Sequence, residues 1–394
     1  MKCLERIKYK YKYQSLLKNL YIIGITGTNG KTTISTLLYK YLRFNNIKAT
    51  LIGTNGIFIN DEFIESINTT PGINILYDVL KKSNEENIKY VIMEVSSHAI
   101  KQKRIYGVRF NLKLLTNITI DHLDYHKSFN NYMNTKLKFI NSGINKQIII
   151  VNKDMSNFLK IKSKIHKKTN TYGFYNNSDF SGKNIKLYED HSEFYLDDLK
   201  INTNMLGYYN CSNILGFLSV LKCINEYNPK RLNLFFSNNI EIDGRMKLIN
   251  YHNNKIIIDY AHTPDGMEKV LSFLHKISNN NLYVLFGCGG NRDKSKRSLM
   301  MDVACKYSTK VIVTSDNPRN EDPQSIINEI MGNKKGQYIS IVKREEAIKY
   351  AINLLNDNDL LAILGRGNDD YYFIGNNKIY LNDIEYVKEV IKNE

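Results

Sequence analysis

The chain has 394 residues, enough for two or three domains with separate cores, and contains no run of about 20 apolar residues able to span a bilayer. Its 55 basic and 39 acidic residues give a formal charge of +16, but no compact basic stripe with interleaved aromatics marks a nucleic-acid surface. The positive excess points instead to small polyanionic substrates, and five scattered cysteines (Cys3, Cys211, Cys223, Cys288, Cys305) form neither a disulfide framework nor a zinc spacing.

Residues 1–19 form a short basic arm whose apolar residues are broken by charges before a secretory core could form, which implies a cytoplasmic protein. The apolar run at 20–25 predicts a strand, followed by a helix over 31–44 and a strand at 47–53. The cycle continues with a helix near 73–86, strands at 89–95 and 112–118, a helix near 129–142 and a strand at 147–151. Alternating strands and helices imply an α/β fold with a mostly parallel, buried sheet. The stretch 171–202 is less regular and predicts added antiparallel strands, and helical patterning resumes near 209–226. The polar, turn-rich 238–244 marks a boundary, giving expected domains at 20–240 and 241–394. The second shows strands at 255–260, 282–286, 310–314, 338–341 and 360–364, separated by helices at 264–278, 295–307, 323–331 and 344–356.

The strongest local signal is Gly24-Ile25-Thr26-Gly27-Thr28-Asn29-Gly30-Lys31-Thr32-Thr33, between a predicted strand and a predicted helix. In such a loop the backbone N–H groups and the helix start receive phosphate oxygens. Lys31 would neutralise the β- and γ-phosphates of ATP and Thr32 would help hold Mg2+. Gly24 stands one residue too early for the common phosphate-loop spacing. Asp259, ending a predicted strand in Asp259-Tyr260-Ala261-His262-Thr263-Pro264, is placed to meet a ligand, with a local backbone cap as the lesser alternative.

An ordered set of segments resembles the Mur ligase family over essentially residues 20–394, most closely the branch that adds the third residue of the peptidoglycan stem. It comprises GTNGKTT at 27–33, Asn68-Thr69-Thr70-Pro71, Glu94-Val95-Ser96-Ser97-His98, the run 116–126 with the later Lys136, Gly244-Arg245-Met246, residues 259–264 and the loop 287–297. The resemblance implies a central P-loop ATPase domain and a Rossmann-like C-terminal ligase domain, with most of the family's N-terminal UDP-binding domain lacking. It implies ATP and Mg2+ as cofactors and small-molecule carboxylate and amino-acid substrates, joined through an acyl phosphate. A separate protein supplying UDP-substrate binding is one expectation that follows.

By the same resemblance, Gly27, Thr28, Asn29, Gly30, Lys31, Thr32 and Thr33 cradle ATP, with Arg245 and Asp259 contributing from the C-terminal domain. Thr32, Glu94, His122 and a carbamylated Lys136 serve the metal, and Lys31, Glu94, His122, Lys136 and Arg245 form the catalytic set. Thr69, Thr70, Ser96, Gln102 and Arg104 match acceptor-binding positions. Taken alone, Thr69 and Thr70 read as a helix cap before Pro71, and Lys136 as a solvated helix lysine. Arg292 and Arg297 sit in the glycine-rich loop, with Arg292 also near the amine substrate.

Asp316-Asn317-Pro318-Arg319 resembles the version in family members that add meso-diaminopimelate, where Arg319 would pair with the distal carboxylate that lysine lacks. Gly365-Arg366-Gly367-Asn368-Asp369 departs from the family's Gly-Lys-Gly-His-Glu segment. Asp369 keeps an acid for the amino group, while Arg366 and Asn368 differ outright. Two other readings compete: a folylpolyglutamate synthase-like enzyme or ligase for a smaller peptide or γ-glutamyl acid, and a nucleotide-binding regulator without turnover. Amine-dependent ADP release separates enzyme from regulator.

Overall fold

The run Tyr21–Thr26 is apolar on both faces, and its strand β1 is correspondingly buried at the centre of a sheet. The computed structural model describes residues 16–66, 68–143, 146–175, 177–332 and 338–393, so most of the predicted basic arm lies outside the described residues. Within them the chain divides into two units, one of residues up to 119 with 127–240, the other of 120–126 with 241–394.

The first unit's further strands are β2 Ala49–Gly53, β3 Gly56–Ile59, β4 Glu62–Ile64, β5 Tyr90–Glu94, β6 Leu112–Leu115, β7 Ile148–Asn152, β8 Asn170–Gly173, β9 Phe180–Leu187, β10 Ser192–Leu196 and β11 Leu199–Thr203. Among the described residues they form one sheet in the order β11-β10-β9-β8-β7-β6-β1-β5-β2-β3-β4. The central strands pair in parallel, while β9–β11 and β2–β4 run antiparallel at the two ends. The antiparallel strands expected in 171–202 are therefore present. The hairpin strands β3 and β4 and the helix Pro229–Ser237 are additions to the sequence reading.

The second unit has β12 Lys247–Tyr251, β13 Asn254–Asp259, β14 Leu282–Phe286, β15 Lys310–Thr314, β16 Tyr338–Ile341 and β17 Leu360–Leu364, in the order β12-β13-β17-β14-β15-β16. All neighbours are parallel except the antiparallel edge pair β12–β13. The five predicted strands correspond to β13 to β17. The edge strand β12 and the hairpin β18 Tyr371–Ile374 with β19 Asn377–Tyr380 had no strong period to announce them, whereas the last helix Asp383–Lys392, capped by Asn382 and apolar at Ile384, Val387, Val390 and Ile391, carried a helical period that the sequence reading passed over. Among the described residues no helix is long and apolar enough to cross a membrane.

Two features fix the elements around the first unit's site. Lys113 in β6 is fully buried, and its Nζ donates to Phe139 O (2.6 Å), Ser142 O (2.7 Å) and Ser142 Oγ (2.9 Å). It thereby satisfies carbonyls at the end of the helix Phe129–Asn141, and burial, with Lys167 nearby, pushes its pKa down to about 7. Gly24 belongs to β1 rather than to the phosphate loop, which explains its early spacing. A Cβ there would lie 2.6 Å from Phe110 Cδ1 and 2.7 Å from Phe139 Cζ. Gly24→Ala should therefore lower stability by about 1–3 kcal/mol through overpacking. Urea denaturation measures it, and an unchanged midpoint would contradict the packing role.

Candidate functional site

The helix Lys31–Phe44 begins at Gly30, which adopts φ 85° and offers no side-chain cap. A helix start of this kind directs its first-turn N–H groups and its positive dipole end towards the loop, the arrangement that receives anions. The preceding loop is braced from β6's exit: Thr28 N donates to Asn117 O (2.9 Å), Asn29 N to Asn117 Oδ1 (2.9 Å), and Thr116 Oγ1 to Asn29 O (2.6 Å). The Thr28 hydroxyl is 3.0 Å from Tyr132 OH. Gly27 is obligatory because a Cβ would sit 1.8 Å from Thr116 Oγ1, and Gly30 because one would sit 2.3 Å from Asn213 Oδ1. Thr33 is buried.

Two amines converge on one carbonyl. Lys31 Nζ donates to Gly27 O (2.9 Å) and Thr28 O (2.7 Å), and Lys136 Nζ to Gly27 O (2.8 Å). Lys136 is 1% exposed and also lies 4.8 Å from the Tyr132 ring centroid, so it is not a solvated helix lysine.

Glu94, at the end of β5, is 1% exposed. Its Oε2 accepts from Thr32 Oγ1 (3.0 Å) and Thr54 Oγ1 (3.1 Å), and its Oε1 from Thr54 N (2.9 Å) and Ser35 Oγ (3.4 Å). Gly53 leaves the room: a Cβ there would approach Oε1 to 2.3 Å. The hydroxyl cluster continues outward. Thr69 Oγ1 is 3.1 Å from Thr54 Oγ1, and Thr70 Oγ1 donates to Glu94 O (2.7 Å) and accepts from Ser96 N (3.1 Å). Arg104 Nη1 donates to Thr70 O (2.8 Å) and its Nε to Gln102 Oε1 (2.8 Å). The helix after Pro71, Ile73–Glu85, is capped by Gly72 without a side chain, so neither threonine caps it. Ser96 does cap its own short helix, Ser97–Lys101, by accepting from Ala99 N (3.2 Å).

His122 falls in the 120–126 segment of the second unit, at φ 54°. Its Nε2 is 3.3 Å from Asp121 Oδ2. Burial raises the Asp121 carboxyl, but the charges of His122, His262 and Lys296 outweigh it and bring it down to about 2.

In the same unit, Asp259 Oδ2 accepts from Met246 N (2.9 Å) and Oδ1 from Ala261 N (2.8 Å). The carboxylate thus organises the turn that carries Arg245, and burial holds its pKa up against the Arg245 charge. The Arg245 guanidinium stands 4.5 Å from the Tyr260 ring centroid.

The predicted amine residues gather at the ends of β15 and β17. Arg319 adopts φ 53°; its N donates to Phe373 O (2.8 Å), and its Nη1 to Gly290 O (2.8 Å) and Asn317 O (3.3 Å). Burial and Arg292 lower its pKa, while Asp316, Tyr260 and Asp369 raise it. Asn317 braces the hairpin, its Oδ1 accepting from Phe373 N (3.1 Å). Gly365, at φ 112°, admits Asp316, whose Oδ2 would be 2.6 Å from a Cβ there. Burial and the Asp316 charge push Asp369 up to about 7. Arg297 turns away from the proposed ligand role: it is 1% exposed, with Nη1 on Glu329 Oε2 (2.6 Å) and Nη2 on Glu321 Oε2 (3.0 Å). Its position inside the helix Ser295–Tyr307 directs it to these acids.

Against known proteins, residues 25–221 match the Mur ligase middle domain and residues 244–367 the Mur ligase glutamate ligase domain. The chain belongs to the Mur ligase family. It is an ATP-dependent ligase of mixed α/β fold. The UDP-N-acetylmuramoyl-L-alanyl-D-glutamate--2,6-diaminopimelate ligase of Clostridium tetani is 37% identical over 382 residues, covering 95% of this chain and 78% of that relative. The enzyme of the same name from Phocaeicola vulgatus is 38% identical over 392 residues, covering 97% and 80%. A solved structure of a ligase with that name matches with TM-score 0.66 at 28% identity, over 98% of this chain and 81% of the other. A Mycobacterium tuberculosis folylpolyglutamate synthase complexed with ADP matches with TM-score 0.75 at 15% identity, over 92% of each chain, a likeness of fold alone.

Sequence reasoning assigned no role in this Mur ligase to Thr54, Tyr132 or Asn213. The run Gly207-Tyr208-Tyr209-Asn210-Cys211-Ser212-Asn213 carried a signal, a glycine followed by asparagines at a helix start, and Gly207 adopts φ 88° before the helix Tyr208–Cys223. Thr54 and Tyr132 are single residues in ordinary contexts.

The raised Asp369 has a measurable consequence. Because its folded pKa of about 7 exceeds the ordinary 3.8, the folded state binds the extra proton between those values. This group's contribution to stability therefore falls as pH rises through that window. Asp369→Asn should gain stability relative to the native chain at pH 8 over pH 4, by more than about 1 kcal/mol. Equal gains in denaturation at both pH values would refute the buried, proton-binding carboxyl.

Proposed function

We propose that this Mur ligase joins meso-diaminopimelate to the D-glutamyl carboxylate of a muramoyl dipeptide, releasing ADP and phosphate. The observation that carries the amine assignment is the grouping of Arg319 with Asp316 and Asp369. A diamino diacid presents a carboxylate and an ammonium at its distal end, and this grouping offers one guanidinium and two acids. Arg292 adds positive charge beside Arg319.

In the proposed reaction an acceptor carboxylate oxygen attacks the γ-phosphorus of ATP, and ADP departs with the electrons of the broken P–O bond. The amine then attacks the acyl carbon and phosphate departs. Lys31 leaves the carbonyls of Gly27 and Thr28 to meet phosphate oxygens, alongside the loop N–H groups of Gly27 to Thr33. Arg245 and Asp259 serve the nucleotide from the second unit. Thr69, Thr70, Ser96, Gln102 and Arg104 serve the acceptor, the hydroxyls as hydrogen-bond partners and Arg104 as an anion holder. Asp369, with a pKa of about 7, is matched to take the proton that the amine loses.

Thr32, Glu94 and His122 would hold Mg2+, with Lys136 joining as an anion when carbamylated. The buried Glu94 carboxylate, surrounded by hydroxyls, fits a hard cation that completes its shell with phosphate and water oxygens. Magnesium, when bound, would offset phosphate charge. Consumption of ATP suits a cytoplasmic location. Comparing UDP-linked with UDP-free muramoyl dipeptide tests whether this chain handles its acceptor without a separate UDP-binding protein.

Two substitutions test the reading. Lys31→Ala should nearly abolish acyl-phosphate formation in a folded protein; unchanged ATP-dependent product would remove Lys31 from the mechanism. Arg319→Ala should damage use of meso-diaminopimelate far more than ATP binding, by roughly 2–5 kcal/mol if the carboxylate pair is desolvated. Competition kinetics between meso-diaminopimelate and lysine measures the selectivity. A native preference for lysine, or an unchanged preference in Arg319→Ala, would defeat the selector role.

A further inference from the structure

The second unit buries two guanidinium groups around one carboxylate. Arg344, Arg366 and Asp383 are 1%, 1% and 0% exposed. Arg344 grips Asp383 with Nε to Oδ1 at 2.9 Å and Nη2 to Oδ2 at 2.7 Å, and donates to Ser315 O (3.3 Å) and Leu364 O (3.1 Å). Arg366 brings its Nε to 3.6 Å from Asp383 Oδ1, too far for a hydrogen bond but close enough for charge attraction. Its Nη1 donates to Asp316 O (3.3 Å), and its Nη2 to Asp369 O (3.1 Å) and Leu381 O (2.6 Å).

Packing alone does not call for this arrangement. Burying an ion pair costs desolvation energy that an apolar cluster would avoid, and here two cations share one anion. What the cations accomplish is connection. Arg366 alone joins the turn of Asp316, the turn of Asp369 and the entry to the last helix at Leu381. It also leaves positive charge beside a carboxyl that burial and Asp316 push towards neutrality.

We propose that Arg366, anchored by Asp383, is a positioning residue for the amine substrate, setting the separation of Asp316 and Asp369 and the charge beside Asp369. The inference rests on the reading above, in which those two acids meet the amino groups. The charged and titratable groups that act on Asp369 or respond to it are Asp316, Arg366, Arg245, Asp383, Tyr260 and Arg319. Among them Arg366 and Arg245 lower its pKa, whereas Asp316 and Asp383 raise it. Removing the Arg366 charge keeps Asp369 protonated to higher pH. Keeping the charge on a lysine, which lacks the planar fork, loosens the turns without that shift.

The test is steady-state kinetics of native protein, Arg366→Lys, Arg366→Met and Asp383→Asn with meso-diaminopimelate as the varied amine, from about pH 5.5 to about pH 9. Arg366→Met should raise the amine KM at least about tenfold, leave the ATP KM within about twofold, and move the acidic limb of amine kcat/KM upward by about half a unit or more. Arg366→Lys and Asp383→Asn should raise the amine KM, with the acidic limb of Arg366→Lys staying in place. A native amine KM and acidic limb in Arg366→Met would overturn the proposal, as would an equal limb shift in Arg366→Lys. If Arg366→Met fails to fold, Arg366→Lys decides: a native amine KM overturns the proposal, and a raised one with native ATP KM supports it. A native protein that shows no amine-dependent ADP release would instead fail the ligase reading, and this inference with it.

Discussion

A carboxylate removed from water needs its charge answered, and the way Glu94 is answered sets the character of the first unit. Its oxygens receive a backbone N–H and three hydroxyls, all neutral donors. Such dipoles hold an anion in place without cancelling its charge. Glu94 is thereby held in one orientation at the end of β5. Opposite in sign, Lys31 and Lys136 share the carbonyl of Gly27. The loop thus gathers two amines around one carbonyl, a concentration of positive charge suited to a polyanion.

The second unit solves the converse problem. Its charges largely answer one another: Arg344 with Asp383, and Arg297 with Glu321 and Glu329. These pairs hold loops rather than ligands. They leave a smaller group, Arg319, Asp316 and Asp369, mutually perturbed and carried on turns that the pairs brace. The left-handed backbone of Arg319 fits the same design. Hydrogen bonds from its N–H to Phe373 O and from Gly375 N to its own carbonyl hold an uncommon conformation in place.

Much of this was legible because its causes are local. Burial on both faces wrote continuous apolar runs into β1, β5, β14 and β17, and Gly27 to Thr33 wrote the loop. What stayed hidden depends on residues distant in sequence. Thr54 belongs to the Glu94 cluster only because β2 pairs with β5, and no pattern within residues 47–60 says so. Arg297 read as a loop arginine because its acidic partners lie more than twenty residues downstream. Lys136 was visible only through resemblance, since the carbonyl it meets, Gly27 O, lies 109 residues away in sequence. The edge strand β12 and the hairpin β18–β19 carry mixed burial, so neither period nor apolar run marked them.

The departure at residues 365–369 illustrates how a side chain acquires meaning from its surroundings. By sequence, Arg366 is a cation standing where relatives commonly have a lysine, and Asp369 an acid one methylene short. In the fold Arg366 is buried and held from several sides, so its longer reach is used on carbonyls rather than on a ligand. An amine must lose a proton to attack an acyl carbon, and at neutral pH it needs a nearby base that is neither permanently charged nor permanently neutral. Burial and Asp316 alone would hold Asp369 protonated, while Arg366 and Arg245 draw it back. The shorter acid and the arginine therefore belong to one electrostatic balance, and altering either shifts the proton that the proposed amide bond formation has to move.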